Sequence, residues 1–150
     1  MRYQLRTDAY GIFNFAAIGN VPKSLEGSNN GVVSDEAVNE IGNSERQYQF
    51  NSAWGKNKFG LSASANHLSG AVFDPLNIVE TRGILQVDSY WSFNAGASYR
   101  FNDHAKARFA VTNLTDEEPP FPAIGIGTYD LLGRRYAVSF QYKYWDPRLR

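Results

Sequence analysis

Residues 89–101 set the tightest limit on what this chain can become. Trp91, Phe93, Ala95, Ala97, Tyr99 and Phe101 share one parity, and Tyr90, Ser92, Asn94, Gly96, Ser98 and Arg100 share the other. In a β-strand successive side chains point to opposite faces, so this stretch predicts a strand with one apolar and one polar face. A strand of a soluble sandwich also alternates. The order along the apolar face is more telling, because the rings at Trp91, Phe93, Tyr99 and Phe101 bracket the small Ala95 and Ala97. Sorting by depth suits a wall that meets two lipid–water interfaces about 25 Å apart, with aromatic side chains at both.

The pattern repeats along the chain. In residues 3–15 the odd positions carry Tyr3, Leu5, Phe13 and Phe15, while Gln4, Arg6 and Asp8 open the even positions. Residues 45–54 set Tyr48, Phe50 and Trp54 against Gln47, Gln49 and Asn51, and residues 58–67 set Phe59, Leu61, Ala63 and Ala65 against Gly60, Ser62, Ser64 and Asn66. Residues 105–113 carry Ala107, Phe109 and Val111 on one side, and residues 135–145 carry Tyr136, Val138, Phe140, Tyr142 and Tyr144. The reading is therefore all-β: six strands of a transmembrane antiparallel barrel, each near the roughly 9–11 residues that a tilted strand needs to cross a bilayer. The predicted lipid-facing girdle comprises Tyr3, Phe13, Phe15, Tyr48, Phe50, Trp54, Phe59, Trp91, Phe93, Tyr99, Phe101 and Phe109. Arg6, Asp8, Arg100, Lys106 and Arg108 are expected to face the lumen.

Connections alternate in length. Residues 55–57 and 102–104 read as tight turns, whereas residues 20–44, 69–88 and 115–133 read as long loops rich in Gly, Pro, Asn and Asp. Short turns at one end and long loops at the other are expected of an outer-membrane barrel, with the C-terminus on the short-turn, periplasmic side.

Composition narrows the function classes. The chain has 15 basic and 15 acidic residues and no Cys, which gives no electrostatic case for nucleic acid and removes disulfide and thiolate chemistry. No apolar run approaches the roughly 18 residues of a membrane helix. Arg2, Arg6 and Asp8 interrupt the N-terminal stretch, which does not read as a secretory signal. Six strands also fall short of the about 8 that close the smallest single-chain barrels. Both features predict the end of a longer protein, an incomplete part of a larger barrel.

The most specific motifs lie near the C-terminus. Asn113-Leu114-Thr115-Asp116-Glu117-Glu118-Pro119-Pro120-Phe121 is followed by Tyr129-Asp130-Leu131-Leu132-Gly133-Arg134-Arg135-Tyr136 and then Val138-Ser139-Phe140-Gln141-Tyr142-Lys143-Tyr144. This resembles the closing segment of TonB-dependent outer-membrane receptors, in which an Asn-Leu-x-Asp stretch ends the penultimate strand and a Tyr-Asp-x-x-Gly-Arg stretch opens the last. The resemblance is dense over residues 89–144. It implies a barrel of about 22 strands filled by an N-terminal plug and importing scarce nutrients such as siderophore-bound iron, haem, cobalamin or carbohydrate. It implies as partners outer-membrane lipid, the remainder of the barrel and plug, TonB through an N-terminal part that this chain lacks, and the barrel-assembly machinery. The matching motif residues here are Asn113, Leu114, Asp116, Tyr129, Asp130, Gly133 and Arg134, and Tyr136, Val138, Phe140, Tyr142 and Tyr144 resemble the family's assembly signal. Two departures stand out. All 150 residues read as barrel wall with no plug, so the segment is not expected to transport alone, and the chain runs on past the last ring as Asp146-Pro147-Arg148-Leu149-Arg150, where Pro147 stops the strand near Trp145.

Other candidate chemistry is thin. Asp116, Glu117 and Glu118 lack matched ligands elsewhere and read as solvated carboxylates. Gly133 suits a sharp turn with positive φ or a plain loop, and Arg134 or Arg135 either points into the lumen or lies at the interface. Loop 20–44 carries Glu26, Asp35, Glu36 and Glu40 against Lys23, and around Gly27 to Gly31 it reads as a hydrated, mobile loop. His67 and Ser69 share a face in an arrangement similar to the His-x-Ser of outer-membrane phospholipase, but no third group orients the ring. No catalytic, cofactor-binding or metal residue is assigned, and no cofactor or enzymatic activity is expected. Two alternatives to the receptor wall stand beside it: a small outer-membrane barrel that closes by self-assembly, and a soluble β-barrel or sandwich whose ring-bearing faces point inward around an apolar ligand.

Overall fold

A strand with one apolar face satisfies its backbone groups only by pairing sideways, so amphipathic segments joined by turns collect into sheets. The computed structural model describes residues 1–29, 32–73, 78–120 and 129–144. Its strands are β1 (Arg2–Thr7), β2 (Gly11–Asn20), β3 (Glu26–Asn29), β4 (Val32–Glu36), β5 (Gln47–Lys56), β6 (Phe59–Leu68), β7 (Ala71–Val72), β8 (Gln86–Val87), β9 (Tyr90–Arg100), β10 (Ala105–Thr112) and β11 (Arg135–Tyr142), with one helical turn, α1 (Val79–Arg82). Seven of these form a single antiparallel sheet in the order β1-β2-β5-β6-β9-β10-β11. The pairs β3-β4 and β7-β8 are small hairpins within the first two long connections. The fold is all-β, and the sheet is open, with β1 and β11 at its edges.

The sheet has seven strands rather than the six expected, because residues 3–15 form a hairpin and not one strand. Thr7 Oγ1 accepts the Tyr10 N–H at 3.0 Å and donates to the Gly11 carbonyl at 3.1 Å, which closes the turn over residues 8–10. Gly11 sits at φ +91°, and a Cβ there would overlap the Gly55 carbonyl oxygen, so glycine alone fits. Pairing Tyr3 with Phe15 and Leu5 with Phe13 keeps odd positions opposite odd ones. The predicted face therefore survives although the predicted strand does not. Asp8 moves from the lumen-facing row into the turn.

From β2 onward the register runs unbroken: Phe15 opposes Ser52, Ser52 opposes Ala63, Ala63 opposes Ala95, and Ala95 opposes Val111. Turns at residues 8–10, 57–58 and 101–104 lie at one end, and the long connections lie at the other. Lysines tie the short-turn end together: Lys56 Nζ donates to the Ala9 carbonyl, and Lys58 Nζ donates to the Phe101 carbonyl at 3.1 Å.

Burial is concentrated at the long-loop end. Ala71, Val87, Tyr90 and Tyr129 form a cluster packed with Ile41, Leu68 and Phe73, and the Ile41 N–H donates to the Val72 carbonyl at 2.9 Å. Within the first connection Glu26–Asn29 pairs with Val32–Glu36, and residues 39–41 pair with the second connection. The last strand ends at Tyr142, and the Lys143 N–H donates to the His104 carbonyl at 2.8 Å. The predicted stop near Trp145 and Pro147 lies outside the described residues. No helix among the described residues is long and apolar enough to cross a membrane.

Candidate membrane-facing surface and loop clasp

Because the register is continuous, the apolar positions of seven strands merge into one face. Tyr3, Phe15, Phe50, Phe59, Leu61, Trp91, Phe93, Phe101, Phe109, Tyr136, Val138, Phe140, Tyr142 and Tyr144 are all exposed on it, Val138 at 79% and Tyr144 at 80%. No second layer covers this face among the described residues. A water-soluble monomer rarely exposes a contiguous apolar patch larger than a few hundred Å². The soluble reading, with rings turned inward, needs a covering layer that the described residues do not supply.

Rings on this face form two lateral lines that run across strands. Toward the short-turn end, Phe13 lies 6.5 Å from Trp54, Phe59 lies 4.9 Å from Tyr99, Tyr99 lies 4.9 Å from Phe101, and Phe101 lies 6.2 Å from Phe140. Toward the long-loop end, Tyr48 lies 5.8 Å from His67, His67 lies 4.4 Å from Trp91, and Trp91 stacks on Phe93 at 5.8 Å. Phe109 lies 6.3 Å from Tyr136. Between the two lines the central row runs Phe15, Ser52, Ala63, Ala95, Val111 and Tyr136, small on the middle strands β5, β6 and β9 and aromatic at both ends. Ser52 is the polar exception there, and its hydroxyl donates to the Ala63 carbonyl at 3.4 Å. The indole N–H of Trp54, at the short-turn end, donates to the Tyr10 carbonyl at 2.7 Å.

His67 joins the outer line and shares parity with Phe59 and Leu61. Its ring is clasped between Tyr48 and Trp91, while Ser69 Oγ accepts the Arg46 N–H at 3.1 Å. The His67 Nδ1 makes no hydrogen bond among the described residues.

The C-terminal motif residues converge on one construction, a clasp that closes the loop between β10 and β11. Asn113 is fully buried at φ +52°. Its Nδ2 donates to the Glu117 carbonyl at 2.8 Å, its Oδ1 accepts the Glu117 N–H at 2.9 Å, and its own N–H donates to Asn94 Oδ1 at 3.0 Å. Leu114 follows by donating its N–H to the Phe93 carbonyl at 2.7 Å. Asp116, expected to be merely solvated, accepts the Arg134 N–H at 2.7 Å and pairs with the Arg134 guanidinium at 3.2 Å. Arg135 grips Asp130 with both terminal nitrogens, at 2.6 and 2.8 Å, a bidentate fit of fork to carboxylate. Arg134 and Arg135 are therefore partnered within the loop. Tyr129 is buried edge-on against Tyr90 at 5.4 Å. The motif residue Phe121 lies outside the described residues.

Gly133 adopts φ +65°, where a Cβ would sit 3.1 Å from Asp116 Oδ1. Gly133→Ala combines left-handed strain of about 1–2 kcal/mol with crowding of that carboxylate, and the expected result is a lowered thermal midpoint in detergent micelles. The clasp also depends on pH. The Arg134 backbone and side-chain hydrogen bonds hold Asp116 below its ordinary pKa, and the Arg135 side chain does the same for Asp130. Depressed carboxylates contribute stability that is present above the unfolded pKa of about 3.9 and is lost as pH falls through the folded values. Hydrogen-exchange protection of the Arg134 and Leu132 amides is expected to hold at pH 6 and to fall below about pH 4.

Among the described residues, no cluster of His, Asp and Glu is arranged to hold a metal ion. No family model, no curated protein and no solved structure matches the chain.

Proposed function

We propose that this chain forms part of the wall of an outer-membrane β-barrel, the C-terminal segment of a TonB-dependent receptor that imports scarce nutrients such as siderophore-bound iron, haem, cobalamin or carbohydrate. The observation that carries the membrane reading is the uncovered apolar face with rings in two lateral lines and, on β5, β6 and β9, small side chains between. Trp91 and Tyr99 are separated by about 26 Å of strand, or about 20 Å along the normal of a strand tilted by about 40°, close to the height of a barrel's apolar band. The receptor reading rests on the resemblance of residues 89–144, where the motif residues join in a single clasp. In this reading the lipid meets the ring-bearing face, the plug and water meet the polar face, TonB acts through an N-terminal part, and the rings of β11 are what the barrel-assembly machinery reads.

Strand direction supports a larger barrel over a self-assembled small one. With seven strands in strict antiparallel order, β1 and β11 run the same way. Joining β11 to β1, within one copy or between copies of like orientation, makes a parallel seam, whereas single-chain bacterial barrels are antiparallel throughout with even strand numbers. Closure therefore requires an odd number of further strands, and about 15 complete the 22 of the family. Translating the genomic sequence upstream of Met1 in frame tests the proposal. The expected result is an uninterrupted frame encoding a plug and those strands; a stop codon and separate ribosome site directly before Met1 overturn it.

A further inference from the structure

The chain's zero net charge conceals a segregation. None of its 15 acidic residues falls within the seven sheet strands, which carry Arg2, Arg6, Lys56, Arg100, Lys106, Arg108 and Arg135. Arg135 is neutralised by Asp130. Arg100, Lys106 and Arg108 share the polar face at the short-turn end, where Lys106 stands directly opposite Arg100 across the β9–β10 ladder. Like charges so placed, with Cβ atoms about 5 Å apart, repel and destabilise the pair. A cavity of about 440 Å³ opens at this point, lined by Arg100, Lys106, Arg108, Gln141 and Lys143, with Asp103 the one carboxylate in its wall. Among the described residues, none of the four cationic side chains forms an ion pair or side-chain hydrogen bond.

We propose that this cavity is a binding site for a small multivalent oxyanion, a non-polymeric ligand bearing at least two phosphate or carboxylate groups. One negative charge leaves most of the cluster uncompensated. Two or more, reaching from the central Arg100–Lys106 row toward Arg108 on one side and Lys143 on the other, neutralise it, with the Arg108 guanidinium offering a planar fork and the lysines point charges. Gln141, opposite Lys106, adds a neutral donor. The site stands on the polar face and does not depend on what covers the opposite one.

Calorimetric titration of the full chain in detergent micelles with pyrophosphate, with acetate as the monovalent comparison, tests the site. The expected result is saturable pyrophosphate binding, at least tenfold weaker in Lys106→Gln/Arg108→Gln and within twofold of the parent in Arg2→Gln/Arg6→Gln, which removes equal charge from the same face elsewhere. The Lys106→Gln/Arg108→Gln chain is also expected to unfold at higher temperature than the parent without anion, since like-charge repulsion is relieved. Absence of saturable binding by a chain whose far-ultraviolet spectrum shows sheet overturns the proposal. Equal weakening by both variants does too, because it marks a diffuse field instead of a site. Saturable binding of a hexaglutamate peptide without pyrophosphate binding also overturns it and assigns the patch to an acidic polypeptide. Loss of the receptor reading through a stop codon before Met1 leaves all these outcomes intact.

Discussion

Ala95→Arg is expected to cost about 2–4 kcal/mol of folded stability in a lipid bilayer, while Ala53→Arg stays within about 1 kcal/mol of the parent. Both replace alanine by arginine near mid-strand. Ala95 sits in the central small-residue row of the ring-bearing face, opposite Ala63 and Val111. Ala53 is exposed on the polar face, in the adjacent row, opposite Asn14 and Ser62. A guanidinium at mid-bilayer has no water to solvate it, whereas one on the lumen side has. The measurement is urea unfolding of each variant in lipid vesicles, and equal destabilisation of the two would sink the face assignment. Asn94, although also on the polar face, is no neutral control, because its amide donates to Ser64 Oγ at 3.0 Å and its Oδ1 accepts the Asn113 N–H.

Asn113→Ala is expected to cost about 2–4 kcal/mol and to open the β10–β11 loop. The substitution removes the two hydrogen bonds to the Glu117 N–H and carbonyl, each worth about 0.5–1.5 kcal/mol, and places alanine at a left-handed φ that asparagine tolerates, at about 1–2 kcal/mol. Asn113→Asp keeps the contact to the Glu117 N–H but cannot donate to its carbonyl, so an intermediate loss is expected. Unfolding midpoints rank the three proteins, and limited proteolysis over residues 115–133 reports the loop. Cleavage no faster in Asn113→Ala than in the parent would show that Asp116–Arg134 alone holds the clasp.

Both faces of the sheet were legible in the sequence, because strand alternation is local: each side chain's face follows from its neighbours two residues away. The hairpin at residues 8–10 was not legible. Its three-residue turn pairs odd positions with odd ones, so the alternation passes through it unbroken, and only the Thr7 hydroxyl and the Gly11 backbone mark it. Nor was the charge segregation, since the whole-chain sum averages basic strands against acidic loops, and it emerges only when strand limits are drawn.

The sequence by itself determined that the chain makes amphipathic strands, that their rings lie toward the ends, and that long and short connections alternate. Only the tertiary structure decided the rest. It put seven strands where six were expected, gave both edges the same direction, lined the rings into two rows across strands, and brought Asp116 to Arg134 over 18 positions. Face and length are properties of a segment, fixed by backbone geometry. Strand partners, edge direction and cross-loop ion pairs are properties of register, which exists only once segments have paired.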